Sequence, residues 1–249
     1  MTKLTLVRAL AVTLVNCRKW FAALAALTLT VTFLCRPTSA LADAVPSNTV
    51  RVGMYAVFYH VSADDLSGPF VPPGVNLDVK DTQTVYLAYL RRLSSAFEFE
   101  LAFGVPPNTK TVGRGPATLG SVPYNGQVIS TTRWFAPSAL VEYKFFSERS
   151  AFRPYIGVGV NYTSFYDRQT TAAGNAATGG ATRLSLSSSI GPVGTVGLKY
   201  QPSTHWSVIA SYSITRVTTN LKADTAGEIR TTHVNFGPQA LVVAAGYSF

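Results

Sequence analysis

Cysteine is nearly absent from this chain of 249 residues: there are two, Cys17 and Cys35. Both fall in a first stretch that also lacks any acid. It carries Lys3, Arg8, Arg18 and Lys19, then an apolar run from Trp20 to Leu34, then the small-residue sequence "RPTSALADA". Basic, apolar, small is the order of a secretory signal peptide, and the pattern predicts removal of residues 1–42, with cleavage after Ala42 and Ala40 as the second choice. The apolar run of 15 residues falls short of the roughly 20 that a spanning helix needs. Neither Cys35, preceded by "TFL", nor Cys17, preceded by "LVN", has the small residue that a lipoprotein cleavage site uses. Without residues 1–42 the chain has no thiol, no disulfide and no thiolate metal site, so an exported protein of this kind needs another source of rigidity.

Strong charge is missing as well. The formal net charge is +9, but residues 43–249 hold sixteen bases against twelve acids, +4. That excess is too mild to indicate a nucleic-acid partner. Residues 43–249 also lack any run of 18 consecutive apolar residues, so no transmembrane helix is predicted, and helical apolar periodicity is hard to find. Gly157, Gly159 and Gly174 make no phosphate loop, since no helix is predicted to follow them. No His/Asp/Glu spacing suits a metal. No cofactor is expected.

What the chain does have is alternation of period two. In 97–103, Phe97, Phe99, Leu101 and Phe103 take one face, and Glu98, Glu100 and Ala102 the other. In 153–165, Ile156, Val158, Val160 and Tyr162 alternate with Gly157, Gly159, Asn161 and Thr163. In 184–200, Leu184, Leu186, Ile190, Val196, Leu198 and Tyr200 share one parity, with Lys199 on the other. In 206–215, Trp206, Val208, Tyr212 and Ile214 oppose Ser207, Ser211 and Ser213; in 139–145, Val141, Tyr143 and Phe145 oppose Glu142 and Lys144. Segments 50–60 and 82–91 are noisier but rich in Val, Tyr and Thr. With 231–249 the count is eight strands. The connections between them alternate strictly long and short, the long ones at 61–81, 106–131, 168–182 and 220–230. Antiparallel neighbours with all long loops at one end are the pattern of an outer-membrane barrel, with short periplasmic turns and long extracellular loops.

Eight strands also suit a soluble ligand-carrying barrel. Side-chain volume separates the two. The interior of an eight-stranded barrel is only just wide enough for its side chains. The small and polar parity fits that lumen, and the Phe, Tyr, Trp, Leu, Val and Ile parity fits lipid. The predicted fold is therefore all-β: an eight-stranded antiparallel transmembrane β-barrel. Glu98, Glu100, Glu142, Lys144, Lys199, Ser211 and Ser213 are then expected to line the lumen, with Arg51 among them if Val52, Met54 and Phe58 point outward. Glu98 and Glu100 are expected to face Lys144. Such charges either plug the barrel or form a polar constriction of a pore.

Catalysis finds little support. His60-Val61-Ser62 resembles the His-x-Ser of lipid A deacylases but lacks the Asn that usually follows. His205 and His233 have no evident partner. Glu98 and Glu100 have the look of an acid–base pair, yet lumen-facing alternation alone gives their spacing.

At "FRPYIGVGVNYTSFYD" (152–167) the chain becomes specific. It resembles the OmpW family of small outer-membrane barrels, and "FEFELAFGVP" (97–106), "APSALVEYKFF" (136–146), "GPVGTVGLKY" (191–200), "WSVIASYSI" (206–214) and "GPQALVVAAGYSF" (237–249) agree in order. The resemblance implies an eight-stranded barrel with an apolar tunnel that passes small hydrophobic molecules, with release sideways into the membrane. This chain has Ala136-Pro137 where the family often has Pro-Pro, and small residues, Ala102 and Ser213, at a bulky constriction, so no gate residue carries over. The leading expectation is a passive channel for small apolar solutes, with Phe70, Val71, Pro72 and Pro73 as an apolar mouth. The alternative is a structural or surface-interaction barrel with a plugged lumen; a lipid A-modifying enzyme is a distant third. The expected partners are outer-membrane lipids, small apolar solutes and, through a terminal Phe249 that resembles their recognition signal, the outer-membrane assembly machinery.

Overall fold

The computed structural model describes residues 46–119 and 122–249. The predicted signal peptide, with Cys17 and Cys35, lies outside the described residues. In chain order the strands run β1 (Asn48–Tyr59), β2 (Ser62–Ala63), β3 (Asn76–Val79), β4 (Thr82–Arg92), β5 (Phe97–Gly104) and β6 (Asn108–Arg114). A short hairpin, β7 (Thr118–Leu119) and β8 (Val122–Pro123), precedes β9 (Val128–Phe135), β10 (Ser138–Lys144) and β11 (Phe152–Thr170). After helix α1 (Ala172–Thr178) come β12 (Thr182–Leu186), β13 (Ser189–Tyr200), β14 (Trp206–Thr215), β15 (Thr218–Thr225), β16 (Glu228–Asn235) and β17 (Pro238–Ser248).

Eight of these close into a ring, β1-β4-β5-β10-β11-β13-β14-β17, and every neighbouring pair is antiparallel. The last strand closes on the first, from Thr49 opposite Ser248 to Tyr59 opposite Pro238. Closure leaves no sheet edge, so every backbone group in the ring can be paired without water.

The strands do not stop where the ring stops. Seven of the eight continue past a short break into a second tier: at 60–61, 80–81, 105–107, 136–137, 187–188, 216–217 and 236–237, with β11 running through. Proline explains some breaks, since Pro106, Pro107 and Pro137 have no N–H for a ladder. Gly237 supplies the left-handed turn (φ 47°) at another. The upper tier is split. One sheet is β3-β6-β9 with the upper half of β11; the other is β2-β16-β15-β12. Much of what the alternation of loops and strands assigns to long loops is thus strand. The predicted connection at 220–230 is a ladder from Thr218–Asn235 to Thr225–Glu228, turned by Ala226 and Gly227, both at positive φ. The connection at 168–182 holds helix α1, capped by Thr171, whose Oγ1 accepts the Gly174 N–H at 3.1 Å. This overturns the expectation that no helix lies near Gly174.

Exposure follows the alternation in the ring. Val52, Met54, Val158, Ile190, Ile214 and Leu241 are all exposed on the outer wall. At the short-turn end an aromatic girdle encircles it: Phe97 against Tyr143, Tyr143 against Phe145, Phe152 stacked on Tyr200 at 4.6 Å, and Trp206 against Tyr247. The parity does not survive every break. Leu184 and Leu186 were expected outside with Ile190, but they face inward, because the unpaired residues at 187–188 act as a bulge and reverse the facing. Phe103 keeps its place in the ladder opposite Leu87 and reaches the cavity because it borders the 105–107 break.

Close backbone approach fixes two glycines in the wall. A Cβ on Gly159 would lie 2.0 Å from the Ala139 carbonyl oxygen, and one on Gly53 2.1 Å from that of Val243. Gly194, in β13, has open space at the same position. Gly159→Ala should therefore sharply reduce the heat-modifiable folded band in gel electrophoresis, and Gly194→Ala should leave it unchanged.

Candidate functional site

Inward-facing charge gathers in one layer near the short-turn end. Arg51 comes from β1, Glu98 and Glu100 from β5, Glu142 and Lys144 from β10, Arg153 from β11 and Lys199 from β13. The ladder sets Glu98 directly opposite Glu142, an unfavourable like-charge pair that each carboxylate resolves with a different cation. Glu98 pairs with Lys144. Glu142 accepts both Arg51 Nη1 and Nη2, at 3.3 and 3.4 Å. Glu100 Oε2 accepts Arg51 Nη1 at 2.5 Å and its Oε1 accepts the Tyr86 hydroxyl at 2.8 Å. The guanidinium also lies 5.7 Å from the Tyr155 ring centroid. The expectation that both Glu98 and Glu100 face Lys144 is corrected: only Glu98 does, and Glu100 is taken by Arg51. Arg153 reaches the turns below, donating to the carbonyls of Ser95, Phe145 and Phe146. Lys199, buried, stands opposite Arg153 on the ladder. Beside the charges an apolar block of Tyr86, Ala88, Leu90, Ile209, Val242 and Ala244 fills the rest of the cross-section. Inward Leu90 and Ile209 sit on the parity that composition marks as small and polar; packing next to the ion pairs favours them there.

Above this floor lies a cavity with about 1170 Å³ of empty space, part of it open to solvent. Its two sides differ in chemistry. On one side Tyr55 meets Tyr86 and Trp134 edge-on, each at 6.4 Å between centroids, with Phe103 alongside. On the other stand Asn161, Thr163, Thr195, Ser211 and Ser213, where the Ser213 hydroxyl donates to Thr195 Oγ1 at 3.0 Å. Glu100 and Glu142 also line it, whereas Glu98, Lys144 and Lys199 lie in the layer outside the lining. Overhead, Val79, Val217 and Phe236 belong to an apolar cluster with Leu77 and Val234, against which Phe165 and Leu186 pack. A second, smaller space of about 590 Å³, part of it open to solvent, lies beyond it, between the two sheets of the upper tier. Phe70 is exposed at the rim, and neither it nor Val71, Pro72 or Pro73 lines either cavity.

The wall of the cavity has a gap. The ladder between the third and fourth strands ends at Ala102–Ser138 and resumes at Asn108–Arg133. The residues between include Val105, Pro106 and Pro107 on one lip and Ala136 and Pro137 on the other. Both lips line the cavity, through Ala102, Phe103, Trp134, Ala136 and Ser138. Each lip stays anchored to its other neighbour: Val105 N–H donates to Val85 O of β4 at 3.0 Å, Pro137 O accepts the Tyr162 N–H of β11 at 3.0 Å, and the Asn161 amide donates to Ala136 O and Pro137 O, each at 3.2 Å. The gap is therefore a built opening, not a broken ladder. Its signal in the sequence is Pro106-Pro107 on one strand facing Ala136-Pro137 on the next. Tyr55 shares the inward parity of Arg51, whereas Tyr86 lies in the noisy segment 82–91 and Trp134 between the predicted connection at 106–131 and the strand at 139–145, so neither carried a signal.

The residues weighed for catalysis are scattered. His60 is exposed at the first break, and Ser62 is in the ladder opposite Asn235. His205 stacks on Tyr247 and His233 Nδ1 meets Asn220 Oδ1 at 2.9 Å. Among the described residues no three His, Cys, Asp or Glu side chains gather as a metal site. The ion-pair layer makes a stability prediction. Removing one partner of a buried pair costs about 3–5 kcal/mol, whereas replacing the whole group is close to neutral. Arg51→Met should thus destabilise the barrel in urea unfolding from lipid vesicles, and Arg51→Met with Glu100→Gln and Glu142→Gln should recover most of the loss.

Comparison with known proteins agrees with this architecture. The OmpW family model matches residues 47–249. Outer membrane protein W of Vibrio cholerae is 28% identical over 200 residues, 80% of this chain and 87% of that protein. The crystal structure of OprG from Pseudomonas aeruginosa superposes with a TM-score of 0.73 at 21% identity, covering 82% of this chain and 96% of OprG. The structure of AlkL in lipid bilayers gives 0.60 at 18%, covering 87% of this chain and 97% of AlkL. A closed eight-stranded ring with an apolar outer wall and a family match along nearly all of it lead to one conclusion: this chain belongs to the OmpW family, the outer-membrane β-barrels of Gram-negative bacteria.

Proposed function

We propose that the barrel is a passive route for small hydrophobic molecules, which enter through the upper tier, occupy the cavity and leave sideways into the bilayer through the gap between β5–β6 and β9–β10. One observation carries this reading: the cavity is shut below by the ion-pair layer, while both lips of the gap line it. A solute in the cavity has apolar surface around it and an apolar phase beside it. To continue downward it would have to part Arg51 from two carboxylates. The outer-membrane lipids are then the receiving phase as well as the solvent of the wall.

The same layer favours a second reading, a plugged barrel that serves as structure or as a binding surface. Uptake separates the two. Cells that express the barrel beneath an intact lipopolysaccharide leaflet should take up toluene faster than cells without it. Ala136→Trp, which fills one lip, should bring uptake back to the background rate while the folded band persists. Equal uptake with and without the barrel would leave only the plugged reading. Planar-bilayer conductance should stay small in both forms, because the floor is closed to ions.

Phe249 enters the proposal through assembly. Its backbone pairs with Asn48, the N–H donating at 2.9 Å and the carbonyl accepting at 3.1 Å, while the ring is exposed beside Tyr247. An exposed terminal ring suits recognition by the assembly machinery. Deletion of Phe249 should lower the amount of barrel in the outer membrane more than it lowers refolding yield in detergent; equal losses would argue for a purely structural role.

A further inference from the structure

We propose that the cavity selects neutral aromatic molecules bearing a hydrogen-bond donor, of which phenols are the simplest class. This rests on the reading of the cavity as the solute's resting place and adds a chemical identity to it. The two sides of the cavity make different demands. Tyr86 and Trp134 each stand edge-on to Tyr55, and the Trp134 ring is held in place because its Nε1 donates to Thr109 Oγ1 at 2.9 Å. Rings fixed in that way offer flat faces and polarised edges to another ring, a contact that adds to plain burial. A linear alkyl chain gains the burial alone.

The opposite side would penalise a purely apolar guest. Thr163, Thr195 and Ser213 spend their hydroxyl protons within the wall, on Asn161 Oδ1 at 2.7 Å, Tyr212 O at 3.3 Å and Thr195 Oγ1 at 3.0 Å, so what they present to the space is acceptor capacity that a guest with no donor leaves unfilled. The floor decides which polar group fits. A carboxylate has about four acceptor positions. Glu100 uses two of them on Arg51 and Tyr86, and Glu142 uses two on Arg51. Both line the cavity with acceptor capacity left, so a donor is wanted. Of the four bases and three acids in the layer only Glu100 and Glu142 line the cavity, so the charge nearest a guest is acidic and disfavours an anion, and a cation would have to lose its hydration between Val217 and Phe236 on the way in. A neutral ring with a hydroxyl on its edge satisfies all three surfaces.

The chain supplies its own reporter. Trp134 lines the cavity and Trp206 lies in the outer girdle against Tyr247; the third tryptophan, Trp20, is in the segment predicted to be removed. Trp206→Phe leaves Trp134 as the cavity reporter, and Trp134→Phe leaves Trp206 to report partition into lipid. Both barrels, in phospholipid nanodiscs at pH 7, are titrated with four bromine-bearing contact quenchers: 4-bromophenol, bromobenzene, 6-bromohexan-1-ol and 4-bromobenzoate. After division by the Trp206 response, Trp134 should be half-quenched by 4-bromophenol at a concentration about fivefold lower than by any of the others. Adding Tyr55→Leu to the Trp206→Phe barrel should erase the advantage over 6-bromohexan-1-ol; if that variant does not fold, the ranking on the parent decides. If Trp134 ranks the probes as Trp206 does, or if bromobenzene or 6-bromohexan-1-ol equals 4-bromophenol, the proposal is overturned. The outcome is separate from uptake: toluene entry blocked by Ala136→Trp with no ranking at Trp134 sinks the selectivity alone, and a ranking without uptake sinks the transport reading alone.

Discussion

Arg51 is shared by Glu100 and Glu142 in a place where none of the three could stand alone. Each is almost wholly buried, and a lone ion there would carry a desolvation cost of several kcal/mol. The strands that bring them together, β1, β5 and β10, are not all neighbours, so the cluster ties opposite parts of the ring across the lumen. Tyr86 and Tyr155 complete it from two more strands. A barrel without disulfides thus has a polar cross-brace where a soluble domain would have an apolar core. The brace also sets the geometry above it, since it turns a through-going lumen into a chamber with a floor.

Hydrocarbon imposes the other constraint. Each backbone group in the wall needs a partner, and a ladder is the usual source. The gap between the third and fourth strands departs from that arrangement only because other donors and acceptors stand ready. Asn161, on β11, serves two carbonyls of the far lip, and its own side-chain oxygen accepts the Thr163 hydroxyl at 2.7 Å. Pro106, Pro107 and Pro137 remove three N–H groups that would otherwise need partners. The opening and its hydrogen bonds are one device, and the solvated upper tier above it is free to separate into two sheets.

The ring was legible in the sequence because a lipid-facing wall must alternate, and Ile156, Val158, Val160 and Tyr162 do so without interruption. The inward position of Glu142 and Lys144 followed from the same rule. The cavity was not legible. Alternation that turns Val52, Met54 and Phe58 outward does set Tyr55 inward with Arg51, but segment 82–91 is too noisy to place Tyr86, and Trp134 falls between the connection at 106–131 and the strand at 139–145, where no parity applies. Nor does alternation report a bulge, which is why Leu184 and Leu186 were expected on the wrong face. The pairing of individual charges was beyond reach as well: Glu100 turned to Arg51 and not to Lys144 because of its ladder register, which depends on strands far apart in sequence. The extent of the upper tier was hidden by composition, since the Thr, Ala, Asn and Gly of 168–182 and 220–230 read as loop and yet form helix and ladder.

The ladder between β1 and β17 joins residues almost at opposite ends of the chain: the hydroxyls of Thr49 and Ser248, 199 positions apart, lie 2.9 Å from each other. Of the strands described, the one that completes the ring comes last in chain order, and so is made after the others. Until it arrives, β1 presents an unpaired edge rich in Val, Tyr and Met, the kind of edge that seeds aggregation. The native fold can therefore not be approached from the N-terminus in stable steps. Such a topology has high contact order and folds slowly, so for this barrel the hazardous interval is the passage between export and closure.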